Sequence, residues 1–137
     1  MMRKLDRRGA AALEFTLVIA PLLALMCVII DLGRYAITMQ SLRMLANADA
    51  RAIMINCYAY DEIRRQSPSG CTTDTLSTSG KQTAAPFLYA STLTATVSIT
   101  AGANSLTVKA AQPGFTMVLP IWGTAFNAPS ATTSIPF

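Results

Sequence analysis

The sequence predicts an α+β protein, with a long N-terminal transmembrane α-helix followed by a small antiparallel β-sheet domain. Three observations predict it. An apolar run extends from Ala10 to Ile30, no proline or glycine interrupts Ala36 to Arg65, and apolar residues alternate with hydroxyl residues from Leu93 to Thr100. Of the 137 residues, 52% are hydrophobic and 13% charged, against about 25% charged in an ordinary globular domain. The charge is unevenly spread: from Gln66 to Phe137 only Asp74, Lys81 and Lys109 are ionised, three in 72 residues.

The first element is a basic head, residues 1–9, in which Arg3, Lys4, Arg7 and Arg8 outweigh Asp6. Without it the net charge of +4 falls to a near balance of seven cations and six anions. Nucleic acid is therefore not an expected partner, because phosphate binding needs a basic face rather than a basic tag. The 21 residues from Ala10 to Ile30 span ~31 Å as a helix, about the thickness of a bilayer's hydrocarbon core. None of them is ionised beyond Glu14, so the run is apolar on every face, as a helix in lipid is. Cations before the span and few after it orient the head to the cytoplasm and the remainder across the membrane. The run exceeds the ~7–15 residues of a cleaved secretory signal, and no small-x-small site closes it before Asp31. Met26 stands where a lipoprotein signal needs a small residue, so Cys27 is read as a buried apolar thiol. Pro21 removes a donor from the helix and frees the Leu17 carbonyl, which predicts a bend, with the Thr16 hydroxyl as candidate partner.

The second element continues the helix beyond the membrane, from residue 33 to about residue 66. Ala, Leu, Met, Arg and Gln dominate it, all good helix formers. Leu42, Leu45, Ala46, Ala52, Ile53, Tyr60 and Ile63 form one expected apolar stripe, with Arg43, Asn47, Arg51 and Arg65 away from it. Unbroken from Ala10 to Arg65, these 56 residues would extend ~84 Å. Gln66-Ser67-Pro68-Ser69-Gly70 ends the helix with turn residues.

The third element, residues 67–137, is the β domain with its loops. Cys57 and Cys71, with 13 residues between them, are expected to pair in an oxidising compartment, contributing ~3 kcal/mol by the chain-entropy model. A metal at this pair would need further ligands, and the chain has no histidine and no other cysteine outside the span. Thr72 to Ala85 reads as a polar loop. Leu93, Ala95, Val97 and Ile99 supply one face of a strand and Thr94, Thr96, Ser98 and Thr100 the other. A turn at Ala101-Gly102-Ala103-Asn104 and renewed alternation from Leu106 to Lys109 make a hairpin. Gln112-Pro113-Gly114 interrupts it; Phe115 to Leu119 is expected as a strand and Ala131 to Ile135 as a closing edge. Trp122 and Phe126 lie in a loop bounded by proline and glycine that is expected to pack into the core.

Catalysis is not expected, nor is any cofactor or metal. Without histidine, neither a Ser-His-Asp nor a Cys-His unit can be built. Asp61 and Glu62 are adjacent, so they point to different helix faces and make a poor acid–base pair.

Glu14 is the residue that most needs a role. A carboxylate just inside a hydrophobic span costs ~2–3 kcal/mol even on lenient insertion scales. It stands five residues after Gly9, between the basic head and the apolar helix. Gly9-Ala10-Ala11-Ala12-Leu13-Glu14-Phe15 resembles the cleavage site of type IV pilin-like precursors. The wording from Arg7 to Phe15, with Asp31-Leu32-Gly33-Arg34-Tyr35 closing the span, is similar to the TadE-like family of minor pilins and pseudopilins of tight-adherence (Flp) pili. That resemblance implies a leader peptide at 1–9, cut by a prepilin peptidase between Gly9 and Ala10, and assembly through Glu14 and Phe15. It implies other pilins or pseudopilins, an inner-membrane assembly platform and the lipid bilayer as partners. The implied location is the bacterial inner membrane, single-pass, with the N-terminus cytoplasmic and the carboxyl-terminal domain periplasmic, or an extracellular pilus into which the subunit is incorporated. Cleavage would expose a charged amine on Ala10, and a neighbour's Glu14 would pair with it; in low dielectric such a pair sets register between subunits more than it adds net stability. Two alternatives stand beside this: a pseudopilin of a type II secretion or competence system, which often has Phe where this chain has Ala10, and an uncleaved membrane-anchored periplasmic enzyme.

Overall fold

The computed structural model describes residues 7–90 and 94–137, with the side chains at positions 7, 8 and 10 excepted. The expected strand residue Leu93 and most of the basic head lie outside the described residues.

Helix α1 runs over Arg7–Ile53, 47 residues, a length of ~70 Å. It continues through Pro21. The Thr16 hydroxyl donates to the Leu13 carbonyl at 2.9 Å rather than to Leu17, so the candidate partner for the freed carbonyl is already committed elsewhere. The rod expected to continue regularly to Arg65 changes character at Met54–Tyr58, which forms a π-helical turn, and resumes as α2 over Ala59–Ile63. A π turn inserts one extra residue and rotates everything after it. This explains the partial failure of the predicted stripe. Leu42, Leu45, Ala46 and Ile53 are fully buried, whereas Tyr60 is exposed and Ile63 is 81% exposed. Within the π turn and just past it the half-buried positions are Cys57, Tyr58 and Asp61 instead.

The end of α2 is closed by its backbone. Gln66 N–H donates to the Asp61 carbonyl and Arg65 N–H to the Glu62 carbonyl, at 2.9 and 3.0 Å. That is the Schellman pattern, with Arg65 at φ 56° in the left-handed position that glycine usually takes. The second half of the segment from Thr72 to Ala85, expected as a loop, is helical: α3 spans Thr78–Ala84, and α4 follows it over Pro86–Tyr89. Ser77 caps α3 by accepting the Gly80 N–H at 3.1 Å, and Pro86 occupies the first turn of α4, where a missing N–H is harmless. Ala85 and Leu88 are thereby buried against α1, in one cluster with Leu42, Leu45, Ala46, Ala110 and Ala131.

Strands β1 (Thr96–Ala101), β2 (Ser105–Ala111) and β3 (Ser130–Pro136) form an antiparallel sheet in the order β1-β2-β3. The hairpin register pairs Ala101 with Leu106 and Val97 with Ala110; Leu106 pairs with Ile135 on the other side. At the turn, a side chain on Gly102 would sit 3.2 Å from the Ser105 carbonyl, whose oxygen already accepts the Gly102 N–H. Leu106, Val108 and Ile135 form a second cluster with Ala50 and Ile53 of α1 and with Cys71. The hydroxyl residues of the alternation take the outer face. The apolar residues of α1 from Ala11 to Ile30 receive nothing from this core.

Phe115 to Leu119 is not a strand. Its donors make no ladder: Phe115 N–H goes to the Gln112 carbonyl, Met117 N–H to Asn127 Oδ1, and Val118 and Leu119 N–H to the Asp31 carboxylate. The expected closing edge is present as β3.

Candidate functional site

Two stretches of the chain are chemically unusual: the bare apolar helix, and the border where it meets the folded domain. From Ala11 to Ile30 no side chain is buried by the rest of the chain, and Leu17 is 70% exposed. Such a surface is unfavourable in water, at ~25 cal/mol per Å² of apolar area left wet. Gly9 lies in the first turns of α1 and is exposed, and a side chain there would meet nothing within 4 Å. Glu14 and Phe15 are both exposed on the helix, and Glu14 makes no ion pair among the described residues. Cys27, expected as a buried thiol, is a free cysteine on the exposed surface of the helix.

At the border stands Asp31, 2% exposed. Its carboxylate accepts Val118 N–H at 3.1 Å on each oxygen and Leu119 N–H at 3.0 Å. Arg34, one turn on, completes an ion pair at 3.5 Å and lies over the Phe115 ring, 5.5 Å from its centre. Tyr35 packs against Phe126 and Phe115 at ring-centre distances of 5.0 and 6.3 Å, and Trp122 packs edge-on against Phe126 at 5.6 Å. Trp122 and Phe126 thus dock on the helix border and not in the sheet core. Sequence reasoning quoted Asp31 and Arg34 as the close of the span but missed their role. The signal was a lone carboxylate directly after an apolar run, which demands buried donors once covered.

Further along α1, Asp49 is fully buried, with neither oxygen hydrogen-bonded among the described residues. Burial first, and the neighbouring Asp74 second, push its carboxyl up to about 6, against the opposing pull of Lys81. Lys81 forms an ion pair with Asp74 beside it. Asp49 was not anticipated, because a single acid inside a helical pattern reads as a solvated position.

Cys57 and Cys71 are joined as a disulfide with Cα atoms 5.8 Å apart. The π turn carries Cys57, and a buried Cys71 follows the short turn Pro68–Gly70. Asp61 Oδ2 lies 3.4 Å from Cys71 Sγ and 3.9 Å from Cys57 Sγ. The three residues converge as metal ligands would, but metal needs thiolates, and sulfur atoms bonded to each other are not thiolates.

An α+β protein with a bare apolar stem and a small sheet folded onto the distal half of the same helix has the build of a membrane-anchored or pilin-like subunit. Residues 9–51 match the family described as TadE-like protein, and the chain carries a TadE-like domain there. The matched segment begins at Gly9 and takes in Glu14, Asp31, Arg34 and Asp49. The match is consistent with a pilin-like protein of tight-adherence pilus assembly, a family generally without enzymatic activity and with pilus machinery as partners. No curated protein and no solved structure matches the chain.

Proposed function

We infer that this protein is a minor pilin or pseudopilin of a tight-adherence (Flp, type IVb-like) pilus. The N-terminal helix is held in the inner membrane, residues 1–9 are a leader, and a prepilin peptidase cuts between Gly9 and Ala10. The span covers residues 10–32, and the domain beyond it is periplasmic before assembly. The new Ala10 amine of one subunit meets Glu14 of another, with Phe15 beside it in the helix bundle. A pseudopilin of type II secretion or competence remains the alternative.

The observation that carries this reading is Gly9. Glycine in a helix costs ~1 kcal/mol relative to alanine, yet a side chain at Gly9 would meet open space within the chain. Nothing in the fold asks for glycine there; a peptidase that must take the backbone into a narrow site does. The TadE-like match beginning at the same residue supports it.

Co-expression of the full chain with a matching prepilin peptidase tests the proposal. Expected is a chain shortened by its first nine residues, with Ala10 as the new terminus, and no shortening in Gly9→Val. An intact N-terminus in the presence of an active peptidase overturns the cleavage reading.

A further inference from the structure

The loop after β2 leaves two large apolar side chains on its surface. Val118 is 72% and Ile121 67% exposed, in the sequence Met117-Val118-Leu119-Pro120-Ile121-Trp122-Gly123. Between Ala110 and Phe137 no residue is ionisable, so nothing charged rims this patch within its own segment. The patch is also fixed in place. Val118 and Leu119 are bound through their backbone to Asp31, the first residue after the apolar run.

The loop reaches further than the border. Val118 and Leu119 line a cleft of about 150 Å³ together with Cys27, Ile30, Asp31 and Arg34. Cys27 lies one helical turn inside the apolar run, so one wall of this cleft belongs to the span itself. Trp122 of the loop meets Phe126 edge-on, Phe126 meets Tyr35, and Tyr35 meets Phe115. Amphipathic aromatic rings with an apolar tip ahead of them are what a membrane–water interface favours.

We propose that the 117–123 loop is a second membrane contact: it lies in the bilayer's interfacial layer beside the span, with Val118 and Ile121 toward the acyl chains and Asp31 holding the loop at that depth. The occupant of this surface is lipid, because Val118 and Leu119 share their cleft with the exposed side chains of Ile30 and Cys27 in the span. The inference rests on the apolar helix being a membrane span.

The molecule carries its own probe, since Trp122 is its sole tryptophan. The full chain is reconstituted in phosphatidylcholine–phosphatidylglycerol vesicles, with lipids brominated near the top or near the end of their acyl chains as quenchers and iodide as the aqueous one. Because Trp122 is half covered by Phe126, an Ile121→Trp, Trp122→Phe variant reports the exposed tip directly. A third protein, Leu25→Trp in the Trp122→Phe background, reports the span. The expected result is blue-shifted emission from positions 121 and 122, loss of most of it to lipids brominated near the headgroup, and little loss to iodide. Quenching of position 121 by iodide and not by lipid overturns the loop contact, and does so while the span stands if position 25 is quenched by lipid. Protection of position 121 from both quenchers overturns it in favour of cover by a second copy of the chain. If position 25 also escapes the lipid quenchers, the span reading falls and takes the loop contact with it.

Discussion

The Asp31 carboxylate accepts the Val118 N–H on both of its oxygens, 3.1 Å each, across 87 positions of sequence. Hydrogen bonds to an ionised acceptor are worth about twice neutral ones, and leaving buried donors without a partner costs more than never having made the bond. Asp31 thus governs where the whole 115–128 loop rests against the helix.

Replacing Asp31 by alanine should cost ~2–4 kcal/mol and loosen the loop while leaving the sheet intact. Thermal unfolding of the full chain in detergent checks the first expectation. Hydrogen exchange checks the second: the amides of Val118 and Leu119 should lose protection while those of β2 keep theirs. Unchanged protection at both amides would remove Asp31 from this role.

Asp49 predicts an unusual pH profile. Its carboxyl is raised from 3.8 to about 6, so the folded state binds more protons than the unfolded one between those values. Stability is therefore fullest below the lower value and falls as pH rises toward 6, by up to ~3 kcal/mol. Asp74 strengthens this trend and Lys81 opposes it. Asp49→Asn should flatten the slope between pH 4 and 6 and make the protein more stable than wild type at pH 7, as denaturant midpoints at each pH would show. A midpoint that rises with pH over this window in wild type, and equally in the variant, would contradict the assignment.

The disulfide closes a loop with 13 intervening residues, and its loss should cost ~3 kcal/mol by the chain-entropy model. Melting with and without reductant, and of Cys57→Ser with Cys71→Ser, should give the same loss, since the effect resides in the cross-link and not in either thiol. A reduced protein as stable as the oxidised one would show the cross-link to be without thermodynamic consequence.

Glu14→Leu should insert into membranes more readily, by ~2–3 kcal/mol on insertion scales, yet fail to assemble with pilin subunits. Membrane fractionation reads the first outcome and recovery of the protein in sheared pili the second. Normal piliation with Glu14→Leu would dissociate the carboxylate from assembly.

The parts of the fold governed by short-range pattern were legible. The apolar run, the hairpin around Gly102 and the closing edge at Ala131–Ile135 follow from composition and period alone. What escaped depended on contacts between distant residues. Phe115 to Leu119 has strand-like composition, but its donors are claimed by Asp31 and Asn127, so no ladder forms. The helical turns at Thr78–Ala84 and Pro86–Tyr89 are too short to stand alone and exist because Leu88 and Ala85 bury against α1; Ser77 and Pro86 were the local signs available. The stripe failed past Ile53 because one inserted residue in the π turn rotates Tyr60 and Ile63 outward. Gly9 and Glu14 were visible as a spacing. Asp31 and Asp49 were visible only as acids, because what distinguishes them is what covers them.

The sheet clothes only the distal part of α1, and only on one flank, while residues 11–30 stay a naked cylinder about 10 Å across. The molecule is a wedge, narrow at its stem and broad at its head. Copies brought into lateral contact along their stems would collide at their heads, unless each neighbour is offset along the axis or leans outward. Stagger or splay is thus imposed on any lateral packing by the cross-section of a single subunit.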